Sequence, residues 1–144
     1  METRFGFIPI HSMLVEDEDT ENKIVGSYIN SLEQIGGKRW TKEDLKNPKP
    51  LFYLIVTGGT EELLLNWHTE RNKYIKNEPV FLLAHPTHNS LPASLEVLAR
   101  IQQDNMKGHI FYSNGPNDKN VFNRLERAVH NLEVLFTLKR MRIG

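Results

Sequence analysis

The residues with the clearest potential for chemistry form two short polar segments, each of which follows an apolar run. The first is Thr57-Gly58-Gly59-Thr60, after Leu51–Val56, and the second is His85-Pro86-Thr87-His88-Asn89-Ser90, after Pro79–Ala84. Paired glycines let a backbone approach a ligand closely, and imidazoles can bind metal or move protons near neutral pH. Both segments are therefore candidate ligand-binding loops.

The glycine-rich segment has a limited chemical repertoire. Backbone N–H groups at the start of a helix can hold an anion or a sugar oxygen. However, Glu61 and Glu62 follow at once and would repel phosphate, and the segment lacks the third glycine of a dinucleotide-binding fingerprint and the lysine of a P-loop. Gly59 and Thr60 remain candidates for contact with an uncharged ligand. The structural alternative is a tight strand-to-helix turn with Thr60 as the helix N-cap.

The histidine-rich segment favours recognition of hydroxyl groups over metal binding. A catalytic zinc normally takes three protein ligands, and nothing near His85 and His88 supplies a third. His88 and Asn89 are candidates for contact with sugar hydroxyls, with capping of the next helix by Asn89 as the alternative. His11 follows the first apolar run and is a candidate for the same rim, with a solvated loop histidine as the alternative. We predict no catalytic residue and no metal ligand in this chain.

The elements that must position these residues alternate between strand and helix about five times. The predicted strands are Arg4–Ile10, Lys38–Trp40, Leu51–Val56, Pro79–Ala84 and His109–Tyr112, and apolar residues at helical spacing lie between most of them. This alternation predicts an α/β fold with three layers, Rossmann-like or flavodoxin-like, in which helices cover both faces of a mostly parallel five-stranded sheet. Ligands bind at the carboxyl ends of the strands in such sheets, where Tyr112–Pro116 would form a further part of the rim.

The composition excludes several classes of function. Lysine plus arginine and aspartate plus glutamate each number 18, so net charge gives no argument for nucleic acid or an anionic membrane as a partner. No apolar run approaches the length of a membrane helix. The absence of cysteine excludes disulfides and thiolate chemistry. We predict a soluble, cytoplasmic protein that binds neither nucleic acid nor membrane.

The chain is predicted to hold one domain over residues 1–139. The final segment, Arg140–Gly144, resembles the opening Thr3–Gly6, which precedes and begins the first strand. It is therefore expected to start a strand of a further domain, cut short at residue 144. A frayed, basic helix tail is the alternative.

Two segments together resemble a known family. Thr57–Glu61, and Pro79–Ala99 with its run Asn89-Ser90-Leu91-Pro92-Ala93, look like parts of the N-terminal domain of fucose/arabinose isomerase-like proteins. The order and spacing of the predicted strands match that domain across nearly the whole chain. In that family the domain is Rossmann-like and leads into two further domains, which carry the manganese-binding carboxylates and histidine of an aldose–ketose proton shuttle.

The resemblance implies a supporting role. No set of Glu, Asp and His here matches the family's metal site, so the chain is expected to bind no cofactor, and manganese is implied for the full-length family only. The domain would wall a sugar pocket through His11, Thr60, His88 and Asn89 and support a homo-oligomer of a longer parent chain. Whether that parent is an aldose–ketose isomerase stays open. The alternatives are a stand-alone flavodoxin-like module that binds a small metabolite or nucleotide, and a purely structural domain.

Overall fold

The computed structural model describes residues 3–11, 18–87 and 89–143, without the side chains of residues 18–21 and 139–143. Within these residues, five strands and four α-helices follow one another along the chain. They are β1 (Phe5–Ile10), α1 (Glu18–Gln34), β2 (Gly37–Arg39), β3 (Leu51–Ile55), α2 (Glu61–Asn72), β4 (Val80–Ala84), α3 (Ser90–Gln103), β5 (Gly108–Tyr112) and α4 (Lys119–Ile143). A short 3-10 helix, Lys42–Lys46, lies between β2 and β3. The predicted alternation of strand and helix is confirmed.

The sheet is parallel throughout and its strand order is β2-β1-β3-β4-β5. The chain passes outward from β1 to β2 and then returns to the other side of β1 to form β3. This reversal is the topological switch point of a flavodoxin-like sheet, and it opens a crevice between the loops that follow β1 and β3. The predicted three-layer α/β fold is confirmed, with every strand pair parallel rather than most of them.

Two apolar cores cover the two faces of the sheet because successive strand residues point to opposite sides. On β3, Phe52 and Leu54 pack against α1 and α4, whereas Tyr53 and Ile55 pack against α2 and α3. All five residues of β3 are buried, as expected for the central strand of a sheet with helices on both faces. The pairing of the strands also determines which residues lie beside one another at the strand ends.

Helical spacing predicts the buried faces of α2 and α3 only in part, since Leu64 and Arg71 of α2 and Ile101 of α3 are buried as their spacing predicts. On α3 the spacing of Leu91, Leu95, Leu98 and Ile101 predicts an inward stripe, but 53% of the Leu95 surface is exposed, and Ala93, Ser94 and Val97 are buried together with Ile101. Small side chains on the inner face bring this helix close to the sheet. On α2 the position of His68 in the middle of a helix predicts a surface or boundary residue, and this prediction is wrong, because the buried residues are Leu64, His68 and Arg71.

Arg71 ties together three segments at the amino-terminal edge of the sheet. Its Nε and Nη2 atoms donate to the two carboxylate oxygens of Glu78 at 3.0 and 2.8 Å. The remaining N–H groups donate, at 2.6–2.7 Å, to the carbonyl oxygens of Leu45, Asn47 and Lys49. A guanidinium has five N–H donors, so this arrangement uses its full capacity inside the core. The connection from β2 to β3 is thereby fixed to α2.

The last helix continues through Ile143, so residues 140–143 are helical rather than the beginning of a strand. Leu138, Lys139, Arg140 and Met141 all favour helix, and neither glycine nor proline interrupts the sequence before Gly144. The structure does not test the prediction of a further domain after residue 139, which stays a prediction. Among the described residues, no helix combines the length and hydropathy needed to cross a bilayer.

Candidate functional site

The glycine-rich turn after β3 lies at the switch point. Thr60 is the N-cap residue of α2 as predicted, but its hydroxyl donates to the carbonyl oxygen of Thr57 at 3.0 Å instead of accepting from the helix. Only 1% of Thr60 is exposed, so its side chain stabilises the turn from within. Gly59 has a φ of +69° and lies in open space, which suits a residue without a side chain. The exposed part of the turn is therefore backbone.

The turn after β3 contacts the loop after β4. A β-carbon added to Gly58 would lie 3.0 Å from the β-carbon of Asn89, so the absence of a side chain at Gly58 permits the approach. Asn89 is exposed, has a φ of 59°, and caps α3 without a side-chain hydrogen bond to that helix. Asparagine tolerates this left-handed conformation better than most residues. Gly58, Gly59 and Asn89 thus form one continuous stretch of the rim.

Two buried side chains fix the loop after β4 to the end of β3. The hydroxyl of Ser90 donates to the carbonyl oxygen of Ile55 and accepts from the backbone N–H of His85 at 3.1 Å. The Nε2 atom of His85 lies 2.7 Å from the carbonyl oxygen of Val56. Because a carbonyl oxygen only accepts, this contact places a proton on Nε2. The Nδ1 atom in turn accepts from the backbone N–H of Thr87 at 3.3 Å.

His85 is therefore a structural histidine. It is 2% exposed, and its two ring nitrogens are held by backbone groups of two neighbouring loops. The imidazole fixes the loop after β4 against the end of β3 in a single tautomer. An arrangement of this kind preorganises the rim, because the loops that would contact a ligand keep their positions when no ligand is bound.

The loop after β5 joins the same edge through α1. The hydroxyl of Tyr28 donates to the hydroxyl of Ser113 at 3.3 Å, and Ser113 accepts from the backbone N–H of Gly115 at 3.0 Å. Burial raises the pKa of Tyr28, so its phenol stays protonated and available as a donor at neutral pH. Asp118 caps α4. Its carboxylate accepts a hydrogen bond from the backbone N–H of Asn114, and this bond lowers the pKa of the carboxyl group.

The predicted site residues divide into three groups. Gly59 and Asn89 lie on adjacent loops at the carboxyl edge, and the half-buried His11 directly follows β1, whose last residue is paired with Ile55 of β3. Thr60 lies at this edge too, but its side chain points into the turn. His88 lies outside the described residues, so the predicted convergence of His88 with Thr60 stays a prediction.

The described residues do not fit a manganese site. They contain no group of three or more histidine, aspartate or glutamate side chains that could hold a metal ion. Both ring nitrogens of His85, whose surroundings are described, form hydrogen bonds with backbone groups. No chemical step through a metal is therefore derived for this chain.

The contacts of Gly58, Tyr28 and Ser90 were missed by sequence reasoning. The helical spacing of Tyr28 predicts a core residue, which is correct, but nothing local indicates a hydrogen bond to Ser113, 85 residues later. The position of Ser90 makes it, like Asn89, a candidate cap of the next helix, whereas its hydroxyl bridges the ends of β3 and β4. The strand order, which brings β3 beside β4, would have indicated the contacts of Gly58 and Ser90 but not that of Tyr28.

Comparison of the chain with protein-family models, with curated proteins and with solved structures finds no match.

Proposed function

We propose that this domain binds a small, uncharged, hydroxyl-rich ligand, a sugar, at the carboxyl edge of its sheet. It would do so as the N-terminal, pocket-walling domain of a fucose/arabinose isomerase-like protein, without a complete catalytic site of its own. The observation that carries this proposal is the contact between Gly58 and Asn89, which joins two loops into one rim beside the switch point. Ligand sites in parallel α/β sheets form at that position.

The chemistry of the rim supports a neutral ligand. The sequence segments at and after the ends of β1, β3, β4 and β5, residues 9–19, 57–61, 85–90 and 113–118, contain no lysine or arginine. They do contain Glu61 in the first turn of α2 and Asp118 at the start of α4, so their charge disfavours phosphate. Backbone N–H groups, amides and imidazoles remain, and these groups exchange hydrogen bonds with sugar hydroxyls.

The same negative charges disfavour the alternative, a stand-alone module that binds a nucleotide. A flavodoxin-like sheet can hold a phosphorylated cofactor at this switch point. Such a ligand needs an anion-binding turn, and the turn after β3 is followed by Glu61 and Glu62. An uncharged metabolite other than a sugar remains compatible with the rim. A cytoplasmic location is proposed from the cysteine-free composition.

Titration calorimetry with five ligands tests the class of ligand. Fucose and arabinose should bind with a Kd of about 1–10 mM, because one domain supplies only part of the contacts. Inorganic phosphate and flavin mononucleotide should not bind measurably. Manganese should bind no more tightly than to an unrelated protein, and no ketose should form from aldose. Tighter binding of phosphate or flavin mononucleotide than of either sugar would contradict the proposal.

A pair of variants separates binding from folding. Asn89→Gly removes the exposed amide but keeps a residue that adopts a positive φ, so the fold should be retained. Asn77→Gly is the matched control, because Asn77 has a φ of 60° and is also exposed, but it lies beyond the far end of α2. We expect Asn89→Gly to weaken sugar binding at least about threefold, since a hydrogen bond contributes about 1 kcal/mol. Asn77→Gly should leave the affinity unchanged.

A further inference from the structure

The two edges of the sheet differ in how they are protected from other strands. The edge strand β2 has three residues, two of which are Lys38 and Arg39. The other edge strand, β5, has five residues with no charge and no proline, and no described strand pairs with its outer side. Proteins usually protect an edge with short strands, charges or proline. β5 has none of these protections, which indicates that its edge pairs with another strand.

The backbone of β5 shows which residues face outward. On the inner side, Val80 donates its N–H to the carbonyl oxygen of Lys107 at 2.9 Å, and Ser113 donates to Ala84 at 2.8 Å. Alternate residues of a parallel strand bond to the same neighbour. The odd-numbered residues of β5 therefore pair with β4, and Gly108, Ile110 and Tyr112 direct their N–H and C=O groups away from the sheet.

The outward residues of β5 are self-complementary. In an antiparallel pair centred on Ile110, the outward groups of Gly108 lie opposite those of Tyr112 from a second copy, and Ile110 lies opposite Ile110. Every outward group of the strand then has a partner. An aromatic ring across from a glycine covers the gap that the glycine leaves, and facing isoleucines pack well. No like charges oppose each other within the paired strands.

An apolar stripe on α3 extends this edge. Arg100 approaches Glu61 of α2 to 3.8 Å, which identifies the side of α3 that faces α2. At about 100° per residue, Leu95 and Leu98 lie about 140–160° around the helix from Arg100. Leu98 packs at Gly108 of β5, where an added β-carbon would be 2.8 Å from its Cδ1 atom. Leu95 therefore lies on the same side, and 53% of its surface is exposed.

We propose that β5 pairs in antiparallel fashion with β5 of a second copy, across a two-fold axis at Ile110. The sheet then continues through the dimer, and Leu95 of each copy packs beside the axis. This proposal is independent of the proposed function, because it uses the outward backbone groups along β5 and not the loops that follow β1, β3 and β4. A strand of a different protein could use the same backbone groups, but only a second copy supplies the matched pairing of Gly108 with Tyr112.

Two variants of the full chain remove the interface by different means. Leu95→Glu places a carboxylate on the exposed stripe of α3. Ile110→Pro removes an outward N–H but no bond to β4, and proline is tolerated on the free side of an edge strand. Leu135→Glu is the matched control, because Leu135 is also 53% exposed but lies on α4. Circular dichroism and thermal unfolding verify that each variant is folded.

Sedimentation equilibrium over a range of concentrations measures the assembly. We expect a dimer for the wild type and for Leu135→Glu, and at least about 100-fold weaker dimerisation for Leu95→Glu, because an unpaired charge would be buried. If Ile110→Pro does not fold, Leu95→Glu decides alone. A monomeric wild type, a dimer that survives in folded Leu95→Glu, or a dimer lost in Leu135→Glu would each overturn the proposal.

Discussion

The α-carbon of Gly58 lies so close to Asn89 that a β-carbon added to Gly58 would be 3.0 Å from the β-carbon of Asn89. This approach joins the loop after β3 to the loop after β4 and leaves no space for a larger residue. The rim of the proposed sugar site therefore depends on a glycine whose own conformation is ordinary. Glycine is required at this position because the two loops leave too little space for a side chain.

Replacement of Gly58 should separate these loops. We expect Gly58→Ala to lower the free energy of unfolding by about 1–2 kcal/mol through overpacking and to weaken sugar binding. Gly115→Ala is the matched control, because no heavy atom lies within 4 Å of its added β-carbon, and its effect should stay within about 0.5 kcal/mol. Urea denaturation measures both. Equal unfolding midpoints for the two variants would contradict the close contact.

The buried ion pair of Arg71 and Glu78 should be costly to break. Glu78→Ala leaves the guanidinium of Arg71 buried beside three carbonyl groups, and we expect a loss of about 3–5 kcal/mol in the free energy of unfolding. Glu70→Ala is the control, since Glu70 pairs with Lys73 at the surface and should contribute less than about 1 kcal/mol. Chemical denaturation of both variants distinguishes the buried pair from the exposed one.

Two valines on α4 test which face of the helix is buried. Val129 has no exposed surface, whereas 47% of Val134 is exposed. Val129→Ala should lower the free energy of unfolding by about 1–3 kcal/mol because it leaves a cavity under the helix. Val134→Ala should change it by less than about 0.5 kcal/mol. A larger effect at Val134 than at Val129 would show that α4 is rotated from the position described.

His68 should make stability depend on pH. Burial first, and then the charge of Arg71, lower the pKa of His68 below its ordinary value of 6.5. The unfolded chain therefore takes up a proton below pH 6.5 that the folded chain does not, so the free energy of unfolding falls as the pH decreases from 6.5 towards the lowered pKa. His68→Gln should reduce this slope. Urea midpoints with the same slope in wild type and variant would contradict the assignment.

The sequence predicts most of the fold because each strand is a short apolar run between turn-forming residues. The run Leu51–Val56 identifies the central strand correctly, and the helical spacing around Val129 identifies a buried face. It succeeds only in part for α3, where the spacing of Leu91, Leu95, Leu98 and Ile101 predicts the inner face. Ile101 is buried there, but Leu95 is exposed, and Ala93 and Val97 occupy the rest of that face. The periodicity of apolar residues identifies an apolar stripe on a helix, but it does not show what that stripe packs against.

The candidate site is less predictable than the fold. The sequence identifies Gly59 and Asn89 as residues of the carboxyl edge, since both lie in short segments that follow predicted strands. It does not show that the hydroxyl of Thr60 turns inward to Thr57, because a threonine at an N-cap normally accepts from the helix. Nor does it show His85 as a support between loops. The first feature depends on the shape of the turn after β3, and the second depends on a contact between two loops that the local sequence does not encode.

The measurement that tests the account most directly is a two-dimensional amide NMR titration of the full chain with fucose. We predict that shifts concentrate in the loops after β1, β3 and β4, at Gly58, Gly59 and Asn89 above all, and that they are reduced in Asn89→Gly but retained in Asn77→Gly. Shifts confined to the opposite edge of the sheet, around Arg71 and Pro79, would contradict the account. So would the absence of any saturable shift.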